Sequence, residues 1–270
     1  MSSVRRRNEI IQTVRCQGSV SVIDLVNKYN VSVESIRRDL RILDEKGFLR
    51  RTYGGAVKKE QTTWDLPLYE RIQLNQANKE AIAKHAVTLL EEGDSVYIDG
   101  NTTGLASSRF IPADMELSIV TNSTMVALNL IQKKGKLKVY LVGGEVDEEG
   151  KTFGYKLHCD LRQYRFDKVL FSCMGFGPKG VFFSKWEPLQ AAQMLAEQSN
   201  HLILMADSSK VNRSGFLFGL ELGRIHTLVT DDGIAADMRN QLRETVRNVI
   251  IVPTDSWDEP DVEYDNAAFE

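Results

Sequence analysis

Apolar residues recur at helical spacing through the first 46 positions and predict three helices. The first spans residues 4–16. The second follows Ser21, whose side chain is placed to cap it, with Asp24 three residues on as in a capping box. Ser32 caps the third, which runs to about Lys46. Their apolar positions are Ile10, Ile11 and Val14 in the first helix, Leu25, Val26 and Tyr29 in the second, and Val33, Ile36, Leu40 and Leu43 in the third.

The third helix has an apolar face and a face that carries arginine. Because successive helical residues are about 100° apart, its four apolar positions form one stripe, which we predict to be buried. The opposite face suits a DNA major groove, where a guanidinium pairs with a guanine edge or a phosphate. A solvated surface helix is the alternative interpretation. The positions opposite the stripe and on its flanks are Glu34, Ser35, Arg37, Arg38 and Arg41.

A short basic hairpin is predicted directly after the third helix. Residues 48–53 have the composition of a strand, Gly54 and Gly55 form a tight turn, and residues 56–59 return as a second strand. A helix-turn-helix followed by such a hairpin is a winged domain, in which the wing reaches flanking phosphates. We therefore predict an α+β DNA-binding domain over residues 1–59.

Short apolar runs alternate with helical patterns from residue 77 to residue 254, which predicts an α/β domain with a largely parallel sheet. A helix carrying Ile82 and Ala86 comes first. Further helices are predicted around residues 104–110, 123–134, 186–199 and 234–245. The predicted strands are residues 95–98, 117–121, 137–142, 168–172, 202–206, 226–230 and 249–252.

The net charge of −3 is the sum of two unlike parts of the chain. Residues 1–59 hold 13 Lys and Arg against 6 Asp and Glu, whereas residues 60–270 carry a net charge of −10. Such an asymmetry is typical of a nucleic-acid-binding piece joined to another domain. Taken alone, the charge fits a solvated basic face equally well.

Two segments lack the apolar pattern of a folded domain. Residues 60–76 are predicted to be a linker between the two domains. Residues 255–270 hold seven acidic residues and no basic one, and we predict a solvated, disordered tail. An alternative is that this tail competes with DNA for the basic domain.

The composition excludes several classes of protein. Hydrophobic and charged fractions of 42% and 26% are those of a globular chain. No apolar run approaches the roughly 18 residues of a membrane helix, and no apolar stretch follows the charged N-terminus as it does in a signal peptide. Three cysteines without metal-type spacing predict a reduced, cytoplasmic protein. We expect no metal, no cofactor and no membrane partner.

Three blocks of the basic segment match one known pattern, namely VSVIDL at residues 20–25, VSVESIRRDL at 31–40 and GFLRRTYGGA at 47–56. They resemble the DNA-binding domain of the DeoR family of bacterial transcriptional regulators. That family more often has Thr where this chain has Ser35, and both supply a hydroxyl. The resemblance implies a winged helix-turn-helix that acts in a sugar pathway, mostly as a repressor. The expected DNA contacts are Ser32, Glu34, Ser35, Arg37, Arg38, Arg41, Arg50, Arg51, Tyr53, Gly54 and Gly55.

Four loops after predicted strands have the chemistry of a phosphate site. Ligands of parallel sheets bind beyond the carboxyl ends of strands, and small residues there expose backbone N–H groups. Hydroxyl-rich turns are also common as plain helix caps, but four in one domain favour a pocket for a polyanion. The residues are Asp99, Gly100, Asn101, Thr102 and Thr103; Thr121, Asn122 and Ser123; Gly143 and Gly144; and Asp207 with Lys210.

The same half of the chain is similar to the effector domain of the DeoR family, which is itself similar to the sugar-phosphate isomerase superfamily that includes ribose-5-phosphate isomerase. This resemblance implies an effector that is a phosphorylated sugar or a related metabolite. It also adds Glu187, which occupies a position that is usually acidic. Asn101 stands where the family usually has glycine, so we expect its side chain to crowd a close phosphate approach.

An enzyme is the alternative function. Aldose–ketose isomerisation needs a general base and an electrophile for the enolate oxygen, which the loop carboxylates, Glu187 and Lys210 can furnish. The same groups hold sugar hydroxyls and phosphate, and family members bind such ligands without converting them. We therefore expect a regulator with no catalytic residues, which binds double-stranded operator DNA as a dimer or tetramer.

Overall fold

The structure is a computed structural model that describes residues 3–59 and 67–254. The predicted acidic tail and residues 60–66 of the predicted linker lie outside the described residues. The elements of the N-terminal part are helices α1 (Ser3–Gln17), α2 (Val22–Tyr29) and α3 (Val33–Glu45) and strands β1 (Ser19–Ser21), β2 (Leu49–Thr52) and β3 (Gly55–Lys58). The strands form an antiparallel sheet in the order β1-β3-β2. The three predicted helices and the hairpin are confirmed, and β1 is an addition.

Two serines that the sequence places before helices do cap them. The Ser21 hydroxyl accepts a hydrogen bond from the Asp24 amide, 3.0 Å away, at the start of α2. Ser32 accepts one from the Ser35 amide at 3.2 Å at the start of α3. These bonds satisfy amides that a helix start leaves unpaired. Both caps are as predicted, and Ser32 lies in the turn between α2 and α3.

The buried face of α3 differs from the predicted stripe at two positions. Val33 was placed in the stripe, but it is 36% exposed, because it lies in the first turn and outside the packed cluster. Asp39 is buried instead, and Arg6 donates a hydrogen bond to its carboxylate at 2.7 Å. The rest of the stripe is confirmed: Ile36, Leu40 and Leu43 pack with Ile10, Ile11, Val14 and Leu25.

The connection between the two parts contains a short helix. Helix α4 spans Leu68–Gln73, and Leu74 directly after it is buried in the core of the N-terminal part. The sequence pattern does not predict α4, because six residues are too few to show a helical period. The described part of the predicted linker is therefore packed against the winged domain.

Seven parallel strands form the sheet of the C-terminal part, as predicted, with ends that differ from the predicted ones by a few residues. They are β4 (Ser95–Ile98), β5 (Ser118–Thr121), β6 (Lys138–Leu141), β9 (Phe166–Phe171), β12 (Ser199–Met205), β14 (Thr227–Asp231) and β15 (Asn248–Val252). Their order across the sheet is β6-β5-β4-β9-β12-β14-β15. Every neighbouring pair is parallel.

Six helices cover the two faces of this sheet. They are α5 (Gln76–Val87), α6 (Thr102–Phe110), α7 (Thr124–Ile131), α8 (Tyr155–Leu161), α9 (Trp186–Gln198) and α10 (Ala236–Thr245). Because successive strand residues point to opposite faces, Val96 and Ile98 pack on one side and Tyr97 on the other. Helices α5, α6 and α7 lie over the first face, and α8, α9 and α10 over the second. The domain is therefore an α/β sandwich of the predicted class.

Several small elements have no counterpart in the sequence pattern. They are helix α8, a hairpin of β7 (Glu145–Val146) and β8 (Thr152–Phe153), a sheet of β10 (Gly175–Gly177), β11 (Gly180–Phe183) and β13 (Leu217–Leu220), and 3₁₀ turns at Ser208–Lys210 and Leu222–Arg224. The strands of the small sheet are antiparallel, in the order β10-β11-β13. They are too short and too rich in glycine to show alternation.

The order of the strands in the large sheet reverses at β4. Strands β5 and β6, which follow β4 along the chain, lie on one side of it, and the later strands, starting with β9, lie on the other side. In open α/β sheets a crevice forms at such a switch point, beyond the carboxyl ends of the two strands. Asp99 directly follows β4 and Ser172 directly follows β9. The polar loops of the domain therefore meet at this point.

Candidate functional sites

The outer face of α3 carries three arginines. Arg37, Arg38 and Arg41 are exposed and lie away from the hydrophobic cluster. Arg41 is 4.0 Å from Glu45 one turn on, a contact that contributes little at an exposed site. The helix thus presents a positive surface to solvent. The other predicted contacts on α3, which are Ser32, Glu34 and Ser35, lie at its N-terminal end.

An ion pair behind this surface joins α3 to α1. The Asp39 carboxylate is 2.7 Å from Arg6 Nε and 3.8 Å from Arg7 Nε. The Asp39 side chain is 5% exposed, so salt screens the pair weakly. The pair fixes the rotation of α3 about its own axis, which directs the arginines outward.

The tip of the hairpin between β2 and β3 is also exposed. Arg50, Arg51, Tyr53 and Gly54 all face solvent. Gly55 is different, because it is buried against β1, and a Cβ atom there would lie 1.9 Å from a backbone carbonyl oxygen. Gly55 therefore allows β1 to pair with β3, and it lies behind the surface that the other wing residues form.

In the C-terminal domain, Asp99 joins the ends of β4 and β9. Its Oδ2 accepts hydrogen bonds from the Ser172 amide at 2.7 Å and from Asn101 Nδ2 at 2.6 Å, and its Oδ1 accepts one from the Asn101 amide at 3.1 Å. Burial raises the pKa of Asp99 above its ordinary value, although these hydrogen bonds act in the opposite direction. The carboxyl group thereby orients Asn101 at the start of α6.

The loops after β4 and β5 are joined by a side-chain amide. Asn122 Oδ1 accepts a hydrogen bond from the Gly100 amide at 3.1 Å. Gly100 packs so closely that a Cβ atom would lie 2.7 Å from the Lys151 side chain. The two hydroxyls of the second loop stabilise that loop itself, since Thr121 accepts from the Ser123 amide and Ser123 caps α7.

The loop after β12 brings a cation to the same place. Lys210 Nζ donates to the Ser172 hydroxyl at 2.8 Å. Asp207 is buried and accepts a hydrogen bond from the Asn75 side chain at 2.9 Å. Burial acts to raise the pKa of Asp207, but the ammonium groups of Lys210 and Lys79 outweigh it and hold that pKa below its ordinary value.

Two adjoining cavities open at these loops, and we call them the polar cavity and the basic cleft. The polar cavity encloses about 570 Å³, which is within the size range of small-molecule sites. The basic cleft adjoins it, and both are bounded by Asn101 and Ser172. The polar cavity is named for its polar residues, which include Asp99, Asn122, Glu149, Lys151 and Glu187, and its remaining wall is apolar and includes Tyr97, Phe153 and Leu157. The basic cleft is lined by Arg71, Lys79, Lys210 and Arg213, together with Thr102 and Asp207.

Some predicted effector residues lie elsewhere. Thr103 is fully buried within α6, and the Gly143 amide donates to Asp160 at 3.2 Å. Within residues 3–59 and 67–254, these two residues and Gly144, Thr121 and Ser123 line neither the polar cavity nor the basic cleft. Glu187 lines the polar cavity from an exposed position in the first turn of α9.

Two family models match successive parts of the chain. The DeoR-like helix-turn-helix domain matches residues 6–62, and the DeoR C terminal sensor domain matches residues 74–232, which is more than half of the chain. The chain belongs to the DeoR family. It is a DNA-binding transcriptional regulator, with the winged domain and the C-terminal domain in the order that the family has.

DeoR-family relatives align with nearly the whole chain. The putative aga operon transcriptional repressor of Escherichia coli O157:H7 is 32% identical over 251 residues, which are 92% of this chain and 93% of that protein. The lactose phosphotransferase system repressor of Staphylococcus epidermidis is 33% identical over 236 residues, 86% of this chain and 93% of that protein. A solved structure of ribose 5-phosphate isomerase A from Methanocaldococcus jannaschii is similar with a TM-score of 0.38 and 16% identity, over 52% of this chain and 56% of that one.

The polar cavity and the basic cleft of the DeoR sensor domain are also lined by residues that the loop motifs do not contain. Arg71 and Lys79 come from α4 and α5, Lys151 from the β7–β8 hairpin, and Arg213 from the segment after the Ser208–Lys210 turn. None of these cations directly follows a predicted strand, so they are not found by looking for polar residues in the loops at strand ends. Ser172 does follow one, and its position is the signal that identifies it.

Two absences complete the description of residues 3–59 and 67–254. No helix there is both long and apolar enough to cross a membrane. The same residues contain no cluster of three or more His, Cys, Asp or Glu side chains able to hold a metal ion.

Proposed function

We propose that this DeoR-family regulator represses a carbohydrate-use operon, and that a phosphorylated sugar bound in the basic cleft and the polar cavity controls its affinity for operator DNA. One observation carries the proposal: four cationic side chains line a cleft at the switch point of the sheet, beside a cavity of about 570 Å³. The carbohydrate assignment is supported by relatives whose names refer to the aga operon and to lactose uptake.

The basic cleft suits the phosphate group. Lys210 and Arg213 supply cationic donors, and α6 begins at Thr102 with its N-terminal end at the cleft. The unpaired amides and the dipole of a helix start favour an anion. Residues 60–254 carry a net charge of only −3. The attraction for phosphate is therefore local, and it does not come from a broad positive field.

The polar cavity suits the hydroxyl groups of the sugar. Carboxylates and side-chain amides accept and donate hydrogen bonds to hydroxyls, and Asn122 and Glu187 line this cavity. Asn101 also lines it, in place of the usual family glycine. Its amide donates to Asp99 at 2.6 Å, so its side chain is held toward that carboxyl group, and the crowding expected at this position is reduced.

We propose binding without turnover. Both oxygens of Asp99 already accept hydrogen bonds from Ser172 and Asn101, which makes this carboxyl group a poor general base. Burial raises the pKa of the Cys173 thiol, beside the basic cleft, to about 12, so the thiol is uncharged at neutral pH. Incubation with pentose and hexose phosphates, followed by NMR, tests this. Aldose–ketose conversion that disappears in Glu187→Ala would establish an isomerase.

Assembly and location follow from the same proposal. Helix-turn-helix proteins pair to contact two half-sites, so we propose a dimer or tetramer that acts on DNA in the cytoplasm. Effector binding would change the relative placement of the winged domains within this oligomer. Sedimentation equilibrium of the purified chain gives the subunit number, and a monomer at all concentrations would contradict the proposal.

A thermal-shift screen against a panel of sugar phosphates tests the effector directly. A ligand that binds the native state raises the free energy of unfolding by about 2.7 kcal/mol when its concentration is roughly 100 times Kd. We expect one phosphorylated sugar to raise Tm in the wild type and to raise it much less in Lys210→Ala. The unphosphorylated sugar is the control, and an equal shift by both would exclude a phosphate site.

A further inference from the structure

We propose that residues 71–79 couple the effector site to the DNA-binding domain. In this proposal Arg71, Asn75 and Lys79 form a wall of the basic cleft that responds to a bound phosphate, and Leu74 transmits the response to the core beneath α3. The proposal rests on the proposed function, because it requires an anion in the cleft. It gives a role in coupling to three residues of the cleft that lie outside the loop motifs.

One side of this segment belongs to the winged domain. Leu74 is 5% exposed and packs in the same cluster as Ile36 and Leu40 of α3. Glu70, one turn earlier on α4, is 3.1 Å from Lys46 Nζ, and Lys46 is the C-cap of α3. The segment therefore packs in the cluster that contains the buried stripe of α3, and it contacts the C-terminal end of that helix.

The other side belongs to the sensor domain. Arg71 donates to both carboxylate oxygens of Glu149 at 2.6 Å, and this pair is largely buried. Asn75 Nδ2 donates to Asp207 at 2.9 Å and to Ser209 at 3.0 Å. These bonds hold the segment against two walls of the effector site, on the β7–β8 hairpin and on the loop after β12.

Lys79 connects the two sides. Its ammonium group is buried and donates hydrogen bonds to the carbonyl oxygens of Arg71 and Leu74. It also lines the basic cleft and lies close enough to Asp207 to lower the pKa of that carboxyl group. A phosphate in the cleft would compete with these two carbonyls for the same ammonium group, because a dianion attracts it more strongly than a peptide oxygen.

The backbone between α4 and α5 is suited to a change of state. Asn75 has φ 53° and ψ 39°, a left-handed conformation that few residues other than glycine adopt. Its side-chain hydrogen bonds to Asp207 and Ser209 help to keep it there, and both of these partners lie on the loop that would bind phosphate. Phosphate bound to that loop would therefore change the hydrogen bonds that hold Asn75, the residue directly after Leu74, in this conformation. Such a difference in contacts between two states is what coupling requires.

Hydrogen exchange on the full chain, with inorganic phosphate as the probe, tests the proposal. We expect phosphate to change exchange in the loops at residues 99–103 and 207–210 and also in residues 68–79 and in α3. The expected change in the last two is roughly 5–150-fold, the range of ordinary allosteric coupling. Chloride at matched ionic strength serves as the salt control.

The variant Asn75→Gly removes the amide and keeps a residue that tolerates positive φ, so the fold should persist, which circular dichroism and Tm would verify. Because Asn75 lines the cleft and its loss can change the affinity for phosphate, the variant and the wild type are compared at saturating phosphate. At saturation we expect residues 207–210 to respond in both proteins and α3 to lose most of its response in the variant. Gln73→Ala, at an exposed position of α4, is the matched control and should behave as the wild type.

The outcomes separate the two proposals. No phosphate response at residues 99–103 or 207–210 would contradict the proposed effector site itself. A response in those loops without any change in residues 68–79 and α3 would overturn the coupling proposal and leave the site standing. A full α3 response in Asn75→Gly would also overturn it.

Discussion

Asp207 keeps a negative charge inside the protein because neighbouring groups replace the water that it loses. Burial acts to raise its pKa, but the ammonium groups of Lys210 and Lys79 hold the pKa below the ordinary value of 3.8. A carboxyl group whose pKa is lower in the folded than in the unfolded state stabilises the fold above its unfolded pKa. That contribution is lost as the pH falls through the folded pKa.

We predict that Asp207→Asn weakens the pH dependence of stability in acid. The wild type should lose free energy of unfolding between about pH 5 and pH 2, and the variant should lose less over the same interval. Urea unfolding at a series of pH values measures this. Asp114→Asn, at an exposed position, should follow the wild type. A profile of Asp207→Asn parallel to that of the wild type would contradict the account of this carboxyl group.

The exposed arginines of α3 should contribute to the affinity for operator DNA. Arg38→Ala should weaken binding to an operator selected from random DNA by about 1–3 kcal/mol, because a guanidinium paired with a base edge contributes about that much. Fluorescence anisotropy gives the affinity. Lys138→Ala removes the same charge from an exposed position in the sensor domain and should leave the affinity unchanged. Equal losses in the two variants would show that the face assignment is wrong.

Partners that are distant in sequence limit what can be predicted at the residue scale. Ser21 and Ser32 could be assigned as caps because a cap and its amide lie three residues apart. Asp39 and Arg6 are 33 residues apart, and a helix-face argument treats a charged residue as solvent-exposed. The sequence pattern therefore predicts a buried Val33 and an exposed Asp39, whereas in the structure Asp39 is buried and Val33 is exposed.

At the scale of elements, the wing depends on close packing at one glycine. A Cβ atom on Gly55 would lie 1.9 Å from the Val20 carbonyl oxygen, whereas a Cβ on Gly54 would meet open space. We predict that Gly55→Ala destabilises the winged domain by about 1–3 kcal/mol through overpacking. Gly54→Ala should have a small effect. Urea unfolding of both variants decides, and equal stabilities would mean that β1 does not pair as described.

The elements that could be predicted are those whose own pattern is long enough. The inner strands of the large sheet carry apolar runs, as expected for strands buried on both faces. The edge strand β6 carries such a run as well, although it is mostly exposed. The β7–β8 hairpin and helix α4 are too short to show a period, and they supply Lys151 and Arg71 to the proposed effector site. The strand-end loops of the site were thus predictable, and most of its cations were not.

At the scale of the whole molecule, the DNA-binding part of the chain is positively charged and the rest of the chain is negatively charged. Residues 1–59 carry +7, whereas residues 60–254 carry −3 and residues 255–270 carry −7. DNA binding should therefore depend on the winged domain and be steeply sensitive to salt. We predict a logarithmic slope of about −0.9 per phosphate neutralised. Anisotropy titrations at several NaCl concentrations give the slope, and an affinity independent of salt would contradict the basic surface.

The central claim is that a phosphorylated sugar in the C-terminal domain controls DNA affinity. The most direct measurement is an anisotropy titration of operator DNA with and without the sugar phosphate that raises Tm, in the wild type and in Lys210→Ala. The account predicts that the sugar phosphate changes the operator Kd of the wild type, that Lys210→Ala loses most of this change, and that its Kd without effector is normal. An operator Kd that no stabilising sugar phosphate alters would contradict it.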